Sequence, residues 1–331
     1  MKVLILGGGG IVASYLVETA PPSAQVSLAT GCRSPTANGL HWIGSLDLTS
    51  SRELADAVRA LRLDVVINAA GMNSVDACEL DPDSCHRHNV GITEAVIEVF
   101  RESSCRLVHL STNAVYDGDC PPYGELGARA PVNAYGRAKK ASEDLVFSAA
   151  NPKWTVVRLS PLYGWSHSWT RLNPLPWICA SLEADRPIRL VDDIYDSPLS
   201  AEEAARFLWR IAASGASGAF NLGGQNTVSR FGLGSAIAEV FGLCSTNLIR
   251  SISRELPDLA PRPADSSLSV KRFSRYFRIE PGTLRDGLQR MRITRPVDDQ
   301  ITLGRLNAAT ATDARLPRRT RHSLSRWMGR T

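Results

Sequence analysis

The chain has 331 residues, 44% of them hydrophobic and 21% charged, with a net charge of +5. This is the make-up of a folded globular protein, long enough for one large domain or two smaller ones. It excludes collagen-like and low-complexity chains, and no apolar run approaches the roughly 20 residues that span a bilayer.

The seven cysteines form no Cys-x-x-Cys pair, and Cys78 and Cys85 are the closest two. They read as small buried hydrophobes in a reducing, cytoplasmic setting. The charge is uneven. Residues 301–331 carry seven arginines against Asp313, a net of +6, which leaves residues 1–300 at −1. The body needs no polyanion, and the tail reads as a solvated end rather than a nucleic-acid arm.

KVLIL (2–6) is a continuous apolar run that stops at Gly7, too short for a signal peptide. QVSLAT (25–30), DVVINAAG (64–71), RLVHLS (106–111) and WTVVRLS (154–160) repeat the format. Between them lie amphipathic segments such as 51–62 and 93–103. Apolar strands alternating with such helices predict a doubly wound α/β fold with a parallel sheet covered on both faces. Ligands bind that fold at the carboxyl ends of its strands. After residue 160 the rhythm loosens. Residues 186–191 and 219–224 read as later strands, so 1–160 completed by 186–224 is expected to form the dinucleotide-binding domain. Residues 161–185 and 225–300 are left as a smaller substrate lobe.

Gly7-x-x-Gly10-x-x-Ala13 follows the first strand and opens a helix. Gly7 permits the tight turn, Gly10 lets the backbone approach a diphosphate, and Ala13 lets helix and strand pack closely. No Gly-Lys-Ser/Thr follows, which excludes a P-loop. An NAD site carries an acid at the end of strand two, but that end reads SLATGCRS, with Arg33. A guanidinium there pairs with a 2′-phosphate, so NADPH is expected ahead of NADH.

Tyr135 and Lys139 stand four apart in NAYGRAKK. That spacing puts both on one helix face. With seven Tyr and five Lys in the chain, chance placement rarely yields such a pair. A neighbouring ammonium lowers a phenol pKa, which suits Tyr135 to acid–base work. Ser111 and Thr112 lie at a strand end, where a hydroxyl could hold a substrate carbonyl. Hydride would come from the nicotinamide and the proton from Tyr135.

The glycine turn, STNAVYDG (111–118), PVNAYGRAK (131–139) and VVRLSPLYG (156–164) together resemble the extended short-chain dehydrogenase/reductase superfamily. More narrowly the chain resembles the dTDP-4-dehydrorhamnose reductase family, through DLT (47–49), VINAAG (66–71), VDACELDP (75–82), DSPLS (196–200) and RPADSSLS (262–269). The resemblance spans about residues 1–295. It implies a catalytic set of Thr112, Tyr135 and Lys139. It implies that Gly7, Gly10, Ile11 and Val12 form the phosphate turn, that Asp47 and Leu48 flank the adenine, and that Ala69, Ala70 and Gly71 line the nicotinamide ribose. Arg262 falls where a nucleotide-sugar phosphate could be held; a salt bridge within the lobe is the equal alternative.

The departures concern the substrate side. The family pattern STDYVF becomes STNAVY, so Asn113 and Ala114 replace an Asp and a Tyr, and Pro161 replaces an aromatic. These changes imply retained chemistry with an altered substrate. No metal site is expected, since the histidines lack ligand spacing and His109 reads as a satisfied core group. Asp83 reads as a helix N-cap, and of Trp165, Trp169 and Trp177 two are expected in the core. The expected function is an NADPH-dependent reductase of the 4-keto group of a nucleotide-linked deoxysugar. The alternatives are a ketoreductase for another natural-product ketone and a non-catalytic NADP-binding regulatory subunit. A small-molecule substrate is the expected partner, with no membrane or nucleic acid, and a homodimer is compatible with the chain.

Overall fold

A computed structural model describes residues 1–30, 41–165, 173–256 and 260–296. Arg33, His167, Trp169 and the basic tail lie outside the described residues.

Strands β1 (Lys2–Leu6), β2 (Gln25–Thr30), β3 (His41–Ser45), β4 (Val65–Asn68), β5 (Arg106–Thr112) and β6 (Trp154–Leu159) come first. Short strands β7 (Leu162–Tyr163), β8 (Ile188–Val191), β9 (Tyr195–Asp196) and β10 (Leu199–Ser200) follow, then β11 (Gly218–Leu222), β12 (Val228–Ser229) and β13 (Leu248–Ser251). One parallel sheet has the order β11-β6-β5-β4-β1-β2-β3. The order reverses beside β1, the place where such sheets bind ligands. The apolar runs explain the strands: Val3, Leu4, Ile5 and Leu6 are all fully buried, as a strand covered on both faces requires.

The helices are α1 (Ile11–Glu18), α2 (Ser51–Val58), α3 (Val75–Leu80), α4 (Pro82–His86), α5 (Ile92–Phe100) and α6 (Ala134–Ser148). Then come α7 (Pro174–Glu183), α8 (Ala201–Ala213), α9 (Arg230–Phe241), α10 (Lys271–Phe277) and α11 (Leu284–Ile293). Leu16, Leu208 and Phe273 of α1, α8 and α10 join Ile5, Val108 and Val157 in the core on one face of the sheet. Leu54, Val96 and Val146 of α2, α5 and α6 join Leu4, Val66 and Leu107 on the other. Among the described residues no helix is long and apolar enough to cross a membrane.

Two expectations change. Of the segment 186–224, β11 joins the sheet beside β6, but β8 pairs with β13 in the lobe. The apolar run at 188–191 resembles a sheet strand, yet its buried residues pack on α7 and α9. The N-cap of α4 is Asp81, whose carboxylate accepts the Ser84 N–H at 2.9 Å; Asp83 sits in the first turn instead. Pro82 at the first helical position favours that earlier start.

The lobe core contains Trp165, Trp177, Ile178, Leu233, Leu288 and Met291. Trp165 and Trp177 are thus packing residues. The Tyr15 hydroxyl of α1 accepts the Trp165 N–H at 2.8 Å and donates to the Met291 sulfur at 3.7 Å, which fastens the lobe to the first helix.

Below the strand ends lies a buried ionic cluster. Glu143 of α6 accepts two bonds from Arg158 Nε, at 2.9 and 3.2 Å, and one from Nη2 at 2.7 Å. Ser111 donates to the same carboxylate at 2.5 Å and Arg129 at 3.0 Å. Arg158 Nη1 donates to the Tyr116 hydroxyl at 2.7 Å and the Glu125 carbonyl at 2.9 Å. Glu143 and Arg158 are 0% and 2% exposed at their side chains. Removing Arg158 takes from the buried carboxylate its only fully buried cationic partner and leaves just Arg129 and Ser111, so Arg158→Met should cost about 3–5 kcal/mol in urea denaturation. A loss within about 0.5 kcal/mol, the range of an ordinary surface change, would contradict this account.

Candidate active site

The glycine turn is built by close approach. Gly7 has φ +88°, and a Cβ there would lie 2.6 Å from the Ala69 carbonyl oxygen and 2.7 Å from Ala70 N. The absent side chain therefore lets β4 reach the mouth of the turn, which brings Gly7, Ala69 and Ala70 together. Gly7 N–H and Gly8 N–H both donate to the Ala29 carbonyl, at 2.9 and 3.1 Å. Gly10 caps α1 with no side-chain acceptor, and the first turn of α1 holds no acid. Ile11 and Val12 are the first residues of that turn, half-buried. An uncapped, acid-free helix start beside a bare backbone fits the diphosphate of a dinucleotide.

Beyond β3, Asp47 is exposed and accepts both the N–H (2.9 Å) and the hydroxyl (2.7 Å) of Thr49, which holds its carboxyl below the usual range. Leu48 is buried with Leu6 and Leu54, so its side chain serves the core. Gly71 follows Ala70 at the end of β4 and is exposed.

The second group lies at the ends of β5 and α6. Thr112 is the last residue of β5, and its oxygen accepts the Ala114 N–H at 3.2 Å, starting a short 3₁₀ turn. Asn133 caps α6: its Oδ1 accepts the Gly136 N–H at 2.8 Å while its amide donates to the Pro261 carbonyl at 2.9 Å. Glu79 accepts the Ala134 N–H at 2.6 Å. A Cβ on Gly136 would collide with the Ala114 carbonyl oxygen, so α6 meets the 3₁₀ turn backbone to backbone.

That contact puts Tyr135 beside Thr112, close enough for the hydroxyl to act on the phenol. Lys139 is 5% exposed and donates to the Leu110 carbonyl at 2.6 Å. Burial pushes the Lys139 ammonium down to about 8, partly offset by Glu143 one turn along. Burial also pushes the Tyr135 phenol up to about 12, and the neighbouring Thr112 hydroxyl only partly opposes it. The expected lowering of the phenol pKa is therefore overturned. Desolvation dominates, and the neighbouring Cys78 and Cys85 act in the same direction. His109, 1% exposed, faces the Asn68 amide through Nδ1 at 3.3 Å, and among the described residues its Nε2 meets no partner. Its burial, with the charge of Lys139, holds it well below the usual histidine range and neutral. The expectation of a satisfied core histidine is met at one nitrogen only.

On the substrate side the residues divide. Ala114 and Pro161 are half-buried, and the Pro161 carbonyl accepts the Leu199 N–H at 3.1 Å. Ser111 is committed to Glu143, and Asn113 to Asp196 and Ser266. Arg262 donates to Asp76 at 2.9 Å, so of its two readings the ion pair is present. Asn133, Glu143, Asp76 and Asp196 escaped the sequence reading. Only Asn133 carried a local signal, a cap residue directly before a helix. Among the described residues no group of three or more His, Cys, Asp or Glu is placed to hold a metal.

The sheet order, the glycine turn and the Thr112–Tyr135–Lys139 cluster define a doubly wound α/β protein of the extended short-chain dehydrogenase/reductase type. The chain belongs to the RmlD substrate binding domain family, whose model matches residues 1–295. It is 28% identical to the probable low-salt glycan biosynthesis reductase Agl14 of Haloferax volcanii, over 87% of this chain and 96% of that protein. It is 27% identical to the dTDP-4-dehydrorhamnose reductase of Sinorhizobium fredii, over 84% and 92%. The solved dTDP-4-dehydrorhamnose reductase of Bacillus anthracis, in complex with NADP, shares the fold with a TM-score of 0.78 and 24% identity, covering 88% of this chain and 98% of that one.

The fit of the glycine turn is open to test. Gly7→Ala should abolish saturable NADPH binding in a tryptophan-fluorescence titration, since the new Cβ must displace the Ala69 carbonyl. Unchanged affinity would show that the turn does not form the diphosphate cradle.

Proposed function

We propose that the protein is an NADPH-dependent reductase acting on the 4-keto group of a nucleotide-linked deoxysugar. The observation that carries this reading is the placement of Tyr135 against Thr112, with buried Lys139 one turn further along α6. The named relatives, a dTDP-4-dehydrorhamnose reductase and a glycan biosynthesis reductase, support the choice of substrate class.

The dinucleotide, when bound, supplies the hydride to the ketone carbon. The Thr112 hydroxyl holds the ketone oxygen. Tyr135 gives that oxygen its proton, and a phenol pushed up to about 12 is fully protonated before the step. The proton leaves behind a phenolate, and the Lys139 cation stabilises it. The oxygen of the product is then a hydroxyl. A ketone other than a 4-keto sugar is the second reading, and Ala114 and Pro161 favour it. At both positions a small or rigid side chain stands where the family pattern has an aromatic.

NADPH oxidation measured against a panel of dTDP-4-keto sugars and small ketones tests both readings. Tyr135→Phe should lower turnover by about 10²–10⁴-fold, the usual contribution of a positioned acid. Wild-type turnover in that variant would sink the mechanism. An absence of turnover with every ketone, together with tight NADPH binding, would favour a regulatory subunit.

The pH dependence follows from Lys139. Its working form is the cation, which in the free enzyme is lost as pH rises through about 8. The kcat/KM, which reports the free enzyme, should therefore fall above about pH 8. Tyr135 keeps its proton across that range. In Lys139→Arg the cation does not titrate, so the residual kcat/KM should stay flat through pH 8.

A further inference from the structure

Asn113 sits where the family pattern has an aspartate, and the structure shows what the amide does. Its Nδ2 donates to Asp196 Oδ1 at 2.7 Å and to Ser266 Oγ at 2.8 Å, with the Ser266 carbonyl at 3.3 Å. Ser266 closes the triangle by donating to Asp196 Oδ1 at 2.8 Å. The other Asp196 oxygen lies 3.9 Å from Arg230 Nη2, at the start of α9. Asn113, Asp196 and Ser266 are 5%, 8% and 3% exposed. On its opposite edge, Asn113 Oδ1 accepts the Thr112 hydroxyl at 3.3 Å. β9, which pairs with β12 of the lobe, the 262–269 segment and α9 thus converge on the residue next to Thr112.

We infer that Asn113 and Asp196 form a matched polar clasp that seats the substrate lobe on the strand end carrying Thr112. Asn113 is a positioning residue in this role. The pairing depends on residue type. An aspartate at 113 would set a second carboxylate against Asp196 with only the single proton of the Ser266 hydroxyl to share, in a buried site where like charges repel strongly. An asparagine at 113 therefore suits Asp196, since its amide supplies the donor that the carboxylate accepts. Its effect falls on the placement of the lobe and touches no residue of the Gly7 turn.

Three variants test the clasp: N113D, D196N and the exchanged pair N113D/D196N. The kinetic part rests on the reductase reading above. Measured well below each variant's Tm, N113D should raise KM for the keto sugar and lower kcat, each by about tenfold or more, and leave NADPH affinity unchanged. The exchanged pair restores one donor and one acceptor, so both constants should return to within about threefold of wild type. Unaltered kinetics in N113D, or no recovery in the pair, would overturn the inference. If N113D does not fold, the pair still decides: it should fold and turn over, and its failure would count against the clasp. If the wild-type protein reduces no ketone, the function proposed above fails separately. The clasp is then read from Tm alone: strong non-additivity of the two single changes supports it, and additivity overturns it.

Discussion

The geometry of the candidate site depends on one buried carboxylate. Glu143 binds Arg158 of β6 and Ser111 of β5 from a position one helical turn beyond Lys139. It therefore fixes α6 against two neighbouring strands just beneath the residues that carry chemistry. A buried charge is tolerated only with its full set of partners, and this one has them. The interaction serves specificity of arrangement as much as stability: without it, α6 could slide along the sheet and carry Tyr135 away from Thr112. Glu143 also moderates the environment of Lys139, where it is the largest influence opposing desolvation of the ammonium.

The two titrating groups are tuned in opposite directions by the same burial. Desolvation favours the neutral form of each, which raises a phenol and lowers an ammonium. Tyr135 is thereby a full proton donor, and Lys139 is a cation held near its point of loss. The lobe is attached at separate places: Tyr15 to Trp165, Asn133 to the Pro261 carbonyl, and Asn113 to Asp196. Two of these three lie within two residues of Thr112 or Tyr135. Substrate side and catalytic side thus share their supports, while the glycine turn stands apart on β1.

The parts legible in the sequence are those whose physics is local. A turn that needs Gly7, a helical spacing of four at Tyr135 and Lys139, and a hydroxyl at the end of an apolar strand all show in a short window. The unread parts depend on distant partners. Asn113 meets a residue 83 positions away, and Asp76 meets Arg262 across 186. By position alone Ser111 and Thr112 are indistinguishable as adjacent hydroxyls, and only the family resemblance separates them. Alternation along the strand sends Ser111 toward Glu143 and leaves Thr112 for Tyr135. The direction of the Tyr135 shift was misjudged for a similar reason. The sequence displays the neighbouring lysine but not the burial that outweighs it. The run at 188–191 had the look of a sheet strand because periodicity records that residues are buried and is silent on which sheet buries them.

The contact between Gly136 and the Ala114 carbonyl has a consequence for how such a protein can change. Because backbone meets backbone there, the separation of Tyr135 from the strand end is independent of the side chain at 114. A tyrosine, an alanine or any residue between them can occupy that position with the acid still in register. The fold thereby isolates its reaction geometry from the surface that selects a substrate. A lineage could replace the one it recognises and keep the other unchanged.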